Sequence, residues 1–97
     1  MIAWTLPESL TIQSVVGVRE ALLQLLSGPA DVFELDGRGV QEIDGAGVQL
    51  LLATAKEAEL RGMQLRLQRS ARLAATLTLL ALEHRFTPPE PATQVRT

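Results

Sequence analysis

Val40-Gln41-Glu42-Ile43-Asp44-Gly45-Ala46-Gly47-Val48-Gln49-Leu50-Leu51-Leu52 is the stretch around which this chain is organised. An apolar strand runs out here, the backbone turns through two glycines around one alanine, and a strongly apolar helix begins. Asp44 is placed to act as the N-cap of that helix: a carboxylate there accepts hydrogen bonds from unpaired N–H groups and complements the positive end of the helix dipole. Residues before this point build a sheet, and residues after it pack against that sheet.

Upstream, Val32 to Asp36 reads as a strand, apolar apart from Glu34, and runs into Gly37-Arg38-Gly39, a tight exposed turn. Downstream, Val48, Leu51, Leu52, Ala55 and Ala58 form one stripe of the helix, with Gln49, Lys56, Glu57 and Arg61 toward water. Glu57 precedes Arg61 by four residues, the favourable order for a helical ion pair. Gly62 supplies the stop. Met63 to Gln68 then alternates apolar and polar residues as a half-exposed strand does.

Nearer the start, Ile2 to Leu6 and Leu10 to Ile12 flank the turn-like Pro7-Glu8-Ser9, as either a short hairpin or a strand with a break. Trp4 reads as a packing residue on the sheet. Ser14 is the expected N-cap of a first helix carrying Val15, Val18, Leu22, Leu25 and Leu26 at helical spacing, ended by Gly28-Pro29. Ser70 caps a third helix, with Leu73, Leu77, Leu80 and Ala81 on one face and Leu79 and Leu82 widening it. Thr87-Pro88-Pro89-Glu90-Pro91 cannot continue a helix, so residues 1–86 are expected to form one domain and 87–97 a flexible tail. The order β β α β α β α predicts an α/β fold: a small mixed sheet of about four strands packed with three to four helices on one or both faces.

Composition excludes several functions. With 97 residues, 46% of them apolar, the chain can bury one core without staples. It has no cysteine, so disulfides, thiol nucleophiles and thiolate metal sites are ruled out. A net charge of −2 and only three aromatics, Trp4, Phe33 and Phe86, argue against nucleic-acid partners. The opening residues lack the basic and long apolar segments of a signal peptide. The longest uncharged apolar-rich run, Leu73 to Leu82, is about half of the ~20 residues a spanning helix needs. A soluble, cytoplasmic protein without membrane insertion is expected.

Chemistry-bearing groups are sparse. His84, the single histidine, has Leu80 and Pro88 at the four-residue spacings where a helical metal site would need ligands, and reads as a solvated residue at a helix C-terminus. Gly37, Gly39, Gly45 and Gly47 match no phosphate-binding pattern, and Asp44 would repel an anion. Caps and turns account for Asp36 and Asp44 better than a divalent cation does. No catalytic residues, metal or cofactor are assigned.

The run Asp36 to Leu52 resembles the signature of STAS domains, the anti-sigma factor antagonist family, approximately D-x-s-x-V-x-x-i-D-s-s-G-l-x-x-L. The opening Leu6-Pro7-Glu8-Ser9-Leu10-Thr11-Ile12-Gln13-Ser14, the Arg61 to Leu67 segment and the final leucine-rich helix fall where that family has equivalents. In members that act as phosphorylation switches, the phosphoacceptor serine stands where this chain has Ala46, and the preceding hydroxyl position is Gly45. The resemblance therefore implies a non-enzymatic protein-interaction module that is not switched at this site. Ala81 is the second departure, standing where relatives often have a glycine that ends the last helix; alanine is expected to let that helix run on. Motifs of the type I-D-x-A-G-x-Q-L-L are similar to those of short stand-alone STAS proteins of bacterial chemotaxis and signalling. This implies a signalling kinase, an anti-sigma factor or a chemotaxis-array component as partner. A similar D-x-A-G in the STAS subunit of a phospholipid-transporting ABC complex implies an ABC ATPase as the alternative. The expected contact surface is the loop with Arg38, Gly39, Gln41 and Glu42, and the helix start with Asp44, Gly45, Ala46 and Gly47. Gln49 adds hydrogen bonds at the rim.

Overall fold

The computed structural model describes residues 1–82, 85 and 86. In chain order the elements are β1 (Ile2–Thr5), β2 (Ser9–Leu10), α1 (Val15–Leu26), β3 (Val32–Gly37), β4 (Glu42–Ile43), α2 (Gly45–Leu60), β5 (Gln64–Arg69) and α3 (Ala71–Leu79). The α/β architecture is the one expected. Its strands pair in parallel throughout, as a three-stranded sheet in the order β1-β3-β5 and a separate β2-β4 ladder.

The register sorts the larger sheet into two faces. Ile2 and Trp4 lie opposite Phe33 and Leu35, which lie opposite Leu65 and Leu67. Paired residues share a face, and Phe33, Leu35, Leu65 and Leu67 are buried beneath the helices. Trp4 packs half-buried against this core. Ala3, Thr5, Glu34, Asp36, Arg66 and Gln68 occupy the other face, where Gln68 Nε2 donates to Glu34 Oε2 at 2.8 Å across the strands. Helices thus cover one face of the sheet, which is why β3 alternates so regularly.

β1 and β2 do not form a hairpin. Residues 2–10 instead run alongside 32–43 as one parallel ladder broken in its middle. The Leu6 N–H still donates to the Asp36 carbonyl at 2.9 Å, but Pro7 has no N–H to continue, and opposite it the chain turns through Arg38-Gly39. Pairing resumes where the Gln41 and Glu42 N–H groups both donate to the Glu8 carbonyl, at 2.8 and 3.1 Å.

Two of the three expected caps hold. Asp44 accepts from the Gly47 N–H, and Ser70 Oγ accepts from the Leu73 N–H at 3.0 Å while donating to the Val40 carbonyl at 2.6 Å. Ser14 is a correction. Its backbone is helical rather than extended, and its hydroxyl faces backward, accepting from the Thr11 N–H and donating to the Ser9 carbonyl. It braces the turn that leads into α1 instead of capping the helix.

Helix α2 buries more than one stripe. Leu50 and Thr54 are buried alongside Val48, Leu51 and Ala58, because α2 lies between the sheet and α1. The Thr54 hydroxyl is satisfied by the Leu50 carbonyl at 2.8 Å. Gly62, at φ +73°, ends the helix in a Schellman motif: its N–H donates to Glu59 O, and the Met63 N–H donates to Ala58 O.

The same motif ends α3, with an alanine in the glycine position. Ala81 has φ +57°, its N–H donates to Thr78 O, and the Leu82 N–H donates to Leu77 O. Contrary to the expectation, alanine does not extend the helix. Leu82 packs against the core, which stops the helix and forces Ala81 into the left-handed region. Leu79 is consequently 83% exposed and Leu80 lies outside the buried face. His84 and the expected tail 87–97 lie outside the described residues. Among the described residues, no helix is long and apolar enough to cross a membrane.

Ala81→Gly removes the left-handed penalty and is expected to stabilise the domain by about 1 kcal/mol after the entropy of the unfolded glycine is counted. Urea unfolding measures this; equal midpoints would mean that Ala81 is not held at positive φ in solution.

Candidate functional site

Asp44 joins three parts of the chain. Its Oδ1 accepts from the Gly47 N–H at 3.1 Å, and its Oδ2 accepts from the Ile12 N–H at 3.0 Å, in the turn before α1. Its own N–H donates to the Leu10 carbonyl. These donors, that of Ile12 foremost, hold the carboxyl below its ordinary value of 3.8.

The three small residues that follow have different jobs. A Cβ on Gly47 would run into the Leu10 carbonyl oxygen and the Ile43 side chain, so only glycine lets β2 and β4 close on α2. Gly47 is buried and offers nothing to a partner. A Cβ on Gly45 would meet open space, and Gly45 is exposed. Ala46 is half-buried and lines a groove of about 330 Å³ between α1 and α2, with Val15, Val16, Arg19, Gln49, Leu50 and Ala53.

The rest of the expected surface lies elsewhere. Gln41, Glu42 and Asp44 line a second depression of about 320 Å³ on the β4 side, shared with Thr11, Ile43 and Arg72. Arg38 lies at the turn after β3, where Nε and Nη2 grip Asp36 Oδ1 and Oδ2 at 2.9 and 2.8 Å. That pairing lowers the Asp36 pKa and raises that of Arg38. Gly39 is exposed, and a side chain there would meet nothing. The expected single surface is therefore two surfaces, one on either side of Asp44. Sequence reasoning missed the α1 wall of the groove and the α3 contribution of Arg72. Val16, a large apolar residue outside the buried stripe of α1 and 68% exposed, was the legible signal for the former.

Both aspartates considered for cation binding are engaged, Asp36 by a guanidinium and Asp44 by backbone donors. Among the described residues, no three His, Cys, Asp or Glu side chains gather as a metal site would require.

The family described as "Mlab, STAS domain" matches residues 4–88, and the chain belongs to that STAS family. It is similar to the crystal structure of a sulfate transporter family protein from Wolinella succinogenes, with 25% identity and a TM-score of 0.70 over 86% of this chain and 68% of that one. No curated protein sequence matches the chain.

Two predictions separate scaffold from surface. Gly47→Ala is expected to cost about 1–3 kcal/mol or more, since the obstructing atom is backbone, whereas Gly45→Ala is expected to be neutral or slightly stabilising; equal urea midpoints for the two would contradict this packing. The Asp44 contribution depends on pH. A carboxylate with a lowered folded pKa adds stability above its unfolded pKa and loses it as the pH falls through the folded one. The melting-temperature gap between wild type and Asp44→Ala should be full near about pH 6 and close as the pH falls through the lowered folded pKa of Asp44. A gap that is constant with pH would mean that the ionised carboxylate is not the acceptor.

Proposed function

We propose that this STAS domain is a non-enzymatic protein-interaction module of bacterial signalling that contacts its partner around Ala46 without phosphorylation control at that position. The observation that carries the reading is Ala46 itself, half-buried at the margin of an apolar groove and carrying no hydroxyl. Phosphorylation would add a charge of about −1.5 to −2 and break a partner contact by repulsion and desolvation. With alanine here and glycine at position 45, the surface stays uncharged and available. The engagement of Asp36 and Asp44 in structural hydrogen bonds supports the non-enzymatic reading.

A second reading makes the protein an accessory subunit of an ABC transporter ATPase. It is favoured by the similar structure from a sulfate transporter family protein, in which the same fold belongs to a transport protein. Affinity purification from the native host with mass-spectrometric identification separates the two. A histidine kinase, an anti-sigma factor or chemoreceptor-array components would support signalling; an ABC ATPase with its permease would overturn it in favour of transport.

Ala46→Glu tests the surface in either context. Ala46 is the second residue of α2, where a carboxylate suits the helix dipole, so the fold is expected to be unaffected. Affinity for the copurified partner should fall by about tenfold or more. Unchanged affinity would move the contact away from this groove.

A further inference from the structure

The groove at Ala46 does not end there. It shares Arg19, Leu50 and Ala53 with a second depression of about 160 Å³, which continues between α1 and α2 as far as Leu26 and Glu57. From Ala46 to Glu57 the α2 helix advances about 16 Å, roughly three turns. Its walls are largely apolar at the Ala46 end, with Val16 from α1 and Ala53 from α2, and mixed toward Glu57, where Leu23 and Leu26 stand beside Thr54 and Glu57, and the groove is partly open to solvent.

One charge breaks this lining where the two depressions meet. Arg19 is exposed and makes no ion pair or side-chain hydrogen bond with any described residue, while Glu57, at the far end, is held by Arg61 at 2.7 Å. A guanidinium with no ion-pair partner among the described residues, set where the two depressions meet, is placed to take an acidic group from outside.

We propose that the α1–α2 groove receives an amphipathic helix of a partner protein, about three turns long, whose apolar stripe lies along the trough and whose rim carries an Asp or Glu opposite Arg19. This rests on the interaction-module reading and specifies the partner's chemistry. The match has three parts: the length of the groove, apolar walls that would take anchors at helical spacing, and the uncompensated Arg19. A second copy of this chain fits poorly. A twofold contact centred on the groove would bring the two Arg19 side chains together.

The test uses the full-length chain in its native host, with a photo-crosslinking side chain replacing Ala53 in one variant, Val16 in a second and Gln41, on the β4-side surface, in a third. The Ala53 or Val16 variant is expected to crosslink to a helical segment containing Asp or Glu. With that partner purified, Arg19→Glu should weaken binding by about tenfold, and reversing the partner's acidic residue to Lys should restore it to within about threefold. Because Arg19 is exposed and has no side-chain partner among the described residues, the melting temperature should not move. Crosslinking from Gln41 alone would leave the interaction module standing and overturn the groove proposal. Crosslinks from none of the three positions would sink both. Crosslinks between two copies, or an Arg19→Glu variant that binds as wild type, would also overturn the proposal.

Discussion

The carboxylate of Asp44 is the joint on which this fold turns. One oxygen holds the first turn of α2 and the other holds the Ile12 N–H, thirty-two residues earlier. The two acceptors work together: capping orients α2, and the same group then fixes where α1 begins relative to it. An uncharged acceptor could satisfy one donor, but the ionised group satisfies both while facing the positive end of α2. The carboxylate thereby links the start of α2 to the turn that leads into α1.

That joint needs close approach, and Gly47 permits it. The Leu10 carbonyl occupies the space where any other residue would place its Cβ. Ser14, which fails as a helix cap, belongs to the same junction, since its hydroxyl ties Thr11 to the Ser9 carbonyl and shapes the turn that presents the Ile12 N–H. Three polar or small residues that read separately in the sequence are thus parts of one device. At the end of β5 Ser70 plays a similar double role, capping α3 and tying it to Val40.

What could be read from the sequence divides by the range of the forces involved. Periodicities in β3, β5 and α1 are local, and they located the elements and most core residues. Asp44, Ser70 and Gly62 were legible because capping is a property of a few adjacent residues. Ala81 was misread because its conformation is imposed by the packing of Leu82, a tertiary demand that outweighs the preference of alanine for a helix. The parallel course of residues 2–10 beside 32–43 was hidden for the same reason: two residues that break a ladder look alike whether the next strand turns back or carries on. At the candidate site, the sequence pointed to Ala46 and Gln49 but not to the α1 wall, because residues about thirty positions away, Val15, Val16 and Arg19, supply it. It also grouped Gly47 with Gly45, although one is packed against backbone and the other is open.

The one-sided sheet bears on where a partner can bind. Its uncovered face is polar and internally bonded, with Glu34 held by Gln68 and Asp36 held by Arg38, so a partner there would have to displace hydrogen bonds that the fold already makes. The α1–α2 surface has the opposite character. Val16 and Leu23 stand at least two-fifths exposed, and fully burying each contributes about 1.5–3 kcal/mol, before the cost of association is subtracted. Two or three such anchors support a reversible complex rather than a permanent one, and at that margin a single charge decides the outcome. A phosphoryl group at position 46 would have been sufficient to abolish such a contact. An alanine there leaves discrimination between partners to Arg19, which acts by matching a partner's acid and repelling a partner's base.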